Sequence, residues 1–226
     1  MTPLPIAAAA LLASSPLHAA IVPQLRAIPF DVHEFKVLGE TYDPENPHAT
    51  APTYYRTIDD GRLSFIRGVY QPPDSTVTLF HEIPGELRHG VRLVHWRWRA
   101  QVLPRKGNEC ASGFGDSAAA VYVTWKRGMR WYTLKFIWST EAPLGATCNR
   151  LRNPFVASDS IVLRTGTAGD AWVDETVDPE ALFREHFEGG NPKAEIPELQ
   201  GIGLMSDGDQ TNSVSAADYT GFVLYK

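Results

Sequence analysis

The chain has 226 residues, which bounds it to one large domain or two small ones. It carries 21 Lys and Arg against 26 Asp and Glu. No long block of like charge interrupts that balance, so nucleic acid and anionic membranes are excluded as electrostatically favoured partners.

Residues 1–20 (MTPLPIAAAALLASSPLHAA) contain no charged side chain. A short apolar run at 6–13 precedes a small-x-small site at 17–19, which reads as a secretory signal peptide and places the chain in the periplasm or outside the cell. Leu17 is large and no Lys or Arg stands near Met1, so an Ala-rich leader of another kind is the alternative. The run is too short to span a bilayer, and no later segment is long enough. Residues 21–226 are then expected to form one domain.

From 31 to 52 the chain is polar and Pro-rich, an irregular loop with at most one short strand before it. Residues 62–70 (RLSFIRGVY) and 75–82 (STVTLFHE) read as strands. Residues 91–103 (VRLVHWRWRAQVL) give the best period-2 run. Val94, Trp96, Trp98, Ala100 and Val102 face one side, and Leu93, His95, Arg97, Arg99 and Gln101 the other. A Gly-rich loop at 104–115 follows.

Residues 118–126 and 131–139 read as two buried strands joined by a tight turn at Arg127-Gly128. Val121, Val123 and Trp125 share a face. In the return strand Tyr132, Leu134, Phe136 and Trp138 form one face, and Trp131, Thr133, Lys135 and Ile137 the other. Pairing Lys126 with Met129 or Arg130 makes partner numbers sum to about 255–257. Extended outward, that register brings Cys110 near Cys148. These are the two cysteines of the chain. A bridge there would contribute roughly 4 kcal/mol by the chain-entropy model, the alternative being two unrelated thiols.

Residues 141–157 read as a second irregular loop and 160–165 as a short strand. Residues 178–187 (DPEALFREHF) form the one credible helix, capped by Asp178 with Pro179 in its first turn and ended by Gly189-Gly190. Strands at 198–206 and 219–226 flank a polar loop. Short strands, turn signals and one helix predict an all-β, two-sheet antiparallel sandwich.

The loop DGDQTNSVSAAD at 207–218 sets Asp207, Asp209, Thr211, Ser215 and Asp218 at spacings that can wrap Ca²⁺. Asn212 stands where a helix-flanked calcium loop has Gly, and the twelfth position is Asp rather than Glu. The plainer reading is an Asx-rich turn. Asp116, at the hairpin mouth, is a turn carboxylate, a ligand-binding group or a catalytic acid. Trp96 and Trp98 are either core or a stacking platform for a sugar, and the shared face with Val94 and Val102 favours core. His95, Arg97 and Arg99 are expected to meet solvent. There is no Gly-x-Ser-x-Gly elbow, His-Glu-x-x-His helix or phosphate loop. Glycosidase chemistry needs two placed carboxylates; Glu109, Asp116, Glu141, Asp174 and Glu175 are candidates, but no pair can be placed from sequence.

WRWRA at 96–100, GDSAAAVYV at 115–123, LKFIWS at 134–139 and GIGLMSDGDQTNSVSAADY at 201–219 occur in that order. Together they resemble the bacterial domain of unknown function 3047, over residues 28–226. The chain departs from that pattern at Ser117, where a second acidic residue is usual, and at Ser206-Asp207-Gly208-Asp209, where a Thr-Asp-Asn-Thr-like loop is usual. The resemblance implies a jelly-roll-like sandwich similar to carbohydrate-binding modules, and it implies no activity.

The function expected is therefore an exported, non-catalytic sandwich that binds a glycan or other extended ligand, on fold-level analogy. One alternative is a polysaccharide hydrolase or lyase using carboxylates near Asp116 and the 207–218 loop. Another is a structural or assembly protein of the cell envelope. Convergence of Asp116 with Asp207 and Asp209 in a concave site would bear on the choice.

Overall fold

The computed structural model describes residues 24–39 and 53–226. The expected leader at 1–20 and most of the Pro-rich loop lie outside these residues. Period-2 alternation of apolar and polar side chains builds most of what is described. The strands are β1 (Ala27–Pro29), β2 (Lys36–Val37), β3 (Tyr55–Asp59), β4 (Ser64–Tyr70), β5 (Leu79–Glu82), β6 (Leu93–Val102), β7 (Ala119–Arg127), β8 (Arg130–Ser139), β9 (Thr147–Arg152), β10 (Val156–Thr165), β11 (Val173–Val177), β12 (Glu198–Met205) and β13 (Ser215–Tyr225). One helix, α1 (Pro179–Phe187), precedes β12.

The strands form two sheets. The first runs β11-β6-β13-β4-β3, with β1 pairing the end of β13. The second runs β2-β5-β12-β7-β8-β10-β9. Their inner faces meet across a shared core. Trp96 of β6 packs on Phe136 of β8 at 5.4 Å, and Trp98 on Trp138 at 5.8 Å between ring centroids. The expected two-sheet sandwich with one short helix is what forms.

The β7–β8 hairpin holds a constant register, with Lys126 opposite Trp131 and Arg127 opposite Arg130, so partners sum to 257. That is the upper end of the expected range, with the partner of Lys126 one residue beyond Arg130 and two beyond Met129. The turn is Gly128-Met129, and Gly128 takes φ +58°, the left-handed geometry that a two-residue hairpin turn demands and that glycine adopts without penalty. Cys110 and Cys148 are bonded to each other, although Cys148 lies in β9, on the far side of β10 from β8, and not on the outward extension of the hairpin register.

The helix also follows its sequence signals. The Asp178 carboxylate accepts the Ala181 N–H at 2.9 Å. Phe183, fully buried, enters the end of the sandwich between Trp125 and Tyr132, at 5.3 and 5.1 Å. Gly189 and Gly190 take φ +60° and +77° just beyond its end.

Six expectations are corrected. The 75–82 strand begins at Leu79. The 141–157 loop contains β9, and the short 160–165 strand is ten residues long from Val156. The pairing is not wholly antiparallel: β10 runs parallel to β8, because the chain crosses outward through β9 before returning. The last strand starts at Ser215, not Tyr219, which shortens the 206–218 loop. Val102 also leaves the core face. Ala100 pairs Ala217 and Val102 pairs Ala216, so Gln101 is an extra residue that turns Val102 outward to 41% exposure.

Candidate functional site

The inner face of the seven-stranded sheet is spent on the core; its outer face carries the chemistry. Strand partners share a face, so the register spells out its rows. One row crosses Lys36, Phe80, Gly203, Tyr122, Lys135, Ser160 and Cys148. The next crosses Glu82, Gly201, Thr124, Thr133 and Ser158. A third pairs Lys126 with Trp131. Beyond the first row, Ala120, Ile137, Val162 and Met205 form a small apolar cluster with Ala142 of the following loop.

Two glycines shape this face. A methyl at Gly201 would collide with the Phe80 ring, and one at Gly203 would stand 3.3 Å from Tyr122 Cβ and Cδ2. The missing side chains let both aromatic side chains lean over β12, where any larger residue would push them off. Trp131 lies on the same face and is 39% exposed. Phe80, Glu82, Gln200, Lys126 and Trp131 line an open depression of about 880 Å³, walled on its other side by residues 33–39.

At the other end of the first row Glu109 folds over the sheet. Its carboxylate accepts the Lys135 ammonium at 2.5 Å, the Ser117 hydroxyl at 3.2 Å and the Asn149 amide at 3.2 Å. Burial alone would lower the Lys135 pKa. Tyr122 and Glu109 beside it outweigh that and raise it, so the ammonium stays charged. The Cys110–Cys148 bridge joins the neighbours of Glu109 and Asn149 and so fixes this pair in place.

Next to that pair lies an acidic cluster. One carboxylate oxygen from each of Asp116, Asp207 and Asp209 falls within 4.8 Å of the others. Asp116 is fully buried; it accepts the backbone N–H of Gln210 at 3.2 Å and of Thr211 at 2.6 Å, pinning the loop to the hairpin mouth. Asp207 accepts the Thr76 hydroxyl at 2.9 Å and the Asp209 N–H at 3.3 Å. Burial pushes Asp207 up to about 6; the Asp209 and Asp116 charges add to this and the Thr76 hydroxyl opposes it. Three carboxylates so close either share a proton or suit a hard cation.

The residues picked from sequence scatter. Asp116, Asp207 and Asp209 converge although 91 or more positions separate the first from the others. Thr211 turns its hydroxyl to Ser213 at 2.6 Å and offers Asp116 only its N–H. Asp218 is a correction: it lies in β13 on the outer face of the other sheet. There, fully buried, it holds Arg67 at 2.8 Å and Arg99 at 2.6 Å. A strand begun at Ser215 carries it away from the loop. Trp96 and Trp98 are both fully buried in the core, so neither offers a ring to a ligand. Arg97 and Arg99 do not simply meet solvent: they flank the Trp172 ring at 5.7 and 4.5 Å.

Sequence reasoning missed Phe80, Tyr122 and Lys126 as surface groups. Two signals were present. Trp131 sits on the non-core face of its strand, and GIG in β12 leaves two same-face positions bare.

The family described as a protein of unknown function, DUF3047, matches residues 43–223, and the chain belongs to it. No curated protein matches the sequence. Among solved structures, it is similar to the xyloglucanase domain of NopAA, a type three effector from Sinorhizobium fredii in complex with cellobiose. Identity is 11% over 94% of this chain and 100% of that one, with a TM-score of 0.44. It is also similar to endoglucanase 3 of Trichoderma harzianum, from family GH12, at 8% identity over 92% of this chain and 99% of that one, TM-score 0.40.

Proposed function

We propose that this member of the family is an exported, non-catalytic sandwich protein that binds a glycan along the outer face of its seven-stranded sheet. The observation that carries the reading is the exposed Trp131 ring on the same face as the Phe80 ring, which lies over Gly201. Aromatic rings offer flat apolar surface that fits the C–H faces of a sugar, and the Thr133 and Ser158 hydroxyls between them supply directional hydrogen bonds. An open sheet face suits a chain that runs past it more than a small molecule that must be enclosed.

Export is supported by the Cys110–Cys148 bridge, since disulfides persist in oxidising compartments. Among the described residues no helix is long and apolar enough to cross a membrane. The non-catalytic reading is supported by how two carboxylates of this face, Glu109 and Glu82, are engaged, while the convergence of Asp116, Asp207 and Asp209 keeps the hydrolase or lyase as the alternative. Glycoside hydrolysis asks for two carboxyl groups flanking one bond. Glu109 is held by Lys135 at 2.5 Å, and Glu82 lies at the edge, paired with Arg88 at 2.6 Å.

A glycan array read with and without EDTA tests the reading. Retention on a glycan, reduced by Trp131→Ala, is the expected result. No retention on any glycan removes it and leaves the envelope-assembly alternative. Shortened or unsaturated products on incubation would make the chain a hydrolase or lyase instead. The EDTA arm reports whether a cation at Asp116, Asp207 and Asp209 contributes.

A further inference from the structure

Among the described residues, Lys126 has no carboxylate within ion-pair distance. Its ammonium lies 4.9 Å from the Trp131 ring centroid, directly across the hairpin. Glu198 is its strand partner on the other side, but that carboxylate turns away, to Arg88 at 3.7 Å and His89 at 3.5 Å. The other carboxylate beside the depression on β5, Glu82, is taken by Arg88. Arg127, the next cation along, is paired with Glu188 at 2.8 Å. The charge in direct contact with the exposed indole is therefore positive.

We infer that the glycan is a polyuronate, one sugar stacking on Trp131 while its carboxylate pairs with Lys126. The inference rests on the glycan-binding reading above and narrows it from glycans to acidic ones. A neutral sugar fills the ring contact and leaves the ammonium without a partner. A uronate fills both, because its carboxylate stands on the ring edge, next to the face that stacks. A second depression of about 560 Å³ lies on the far side of Lys126, with Arg88, His89, Arg127, Glu195 and Glu198 in its lining.

The test compares polygalacturonate, alginate and polyglucuronate with the same polymers after their carboxylates are reduced to primary alcohols. Retardation in affinity gels is read at low and at high salt for the native chain, Lys126→Gln and Trp131→Ala. Circular dichroism of both variants reports that they are folded. At least one polyuronate is expected to bind about three- to fivefold more tightly than its reduced form, the worth of one exposed ion pair, with the advantage lost at high salt. Lys126→Gln removes that advantage and keeps binding to the reduced polymer; Trp131→Ala weakens both. Equal binding of acidic and reduced forms, or a preference unchanged in Lys126→Gln, overturns the polyuronate assignment and leaves the platform standing. Binding unaffected by Trp131→Ala, or absent for every polymer, overturns the platform itself.

Discussion

Asp207 gives the acidic cluster a pH signature. Its folded-state pKa of about 6 lies above the ordinary 3.8. The folded chain therefore binds this proton more tightly than the unfolded one. Stability falls as pH rises through that interval, and the full cost is present above it. Asp207→Asn abolishes the ionisation and keeps an acceptor for Thr76. It is expected to stabilise the fold by about 1–2 kcal/mol near pH 7 and by almost nothing near pH 4, measured by urea unfolding. Equal effects at the two pH values would mean the three carboxylates share no proton. The residue types of this cluster were readable in the sequence, but their meeting was not. Asp116 and Asp207 come together because the end of β12 and the hairpin mouth lie side by side, which is a property of strand order. Asp218 looked like their companion only while the loop was taken to run to residue 218.

Strand β12 makes its contribution by what it lacks. Gly201 and Gly203 sit on the outer face, and the Phe80 ring lies where a Gly201 methyl would be. Gly201→Ala is expected to displace that ring and cost about 1–3 kcal/mol by overpacking. Glycan retention should fall with it, and chemical denaturation together with gel retardation reads both effects. A substitution without cost would mean that the ring moves freely. Elements whose signals are local were legible: the hairpin from alternation plus a glycine turn, and α1 from its cap and terminal glycines. Strand β9 was not, because an exposed edge strand shows no alternation; four of its six residues face solvent. The parallel β8–β10 pair was hidden for a related reason: no turn motif announces a strand that returns beside an earlier one.

For the molecule as a whole, one covalent bond secures one end of the candidate face. The Cys110–Cys148 bridge closes a separation of 38 residues. Its reduction is expected to cost about 2–4 kcal/mol, read as a lower thermal midpoint in the presence of a thiol reductant. Loss of midpoint without loss of glycan retention would show that the Glu109–Lys135 end stabilises the fold and adds nothing to binding. The overall architecture was legible from alternation and turn spacing; which face remained open was not, because that depends on which loops fold back over which sheet.

Strand β13 lies between β6 and β4 in the first sheet, although it follows every other described strand in chain order. Its pairing with β4 joins residues such as Ile66 and Tyr219. The sheet therefore has no centre until Ser215–Tyr225 is in place between its two neighbours. Closure over such distances is slow, on the order of milliseconds to seconds for all-β domains.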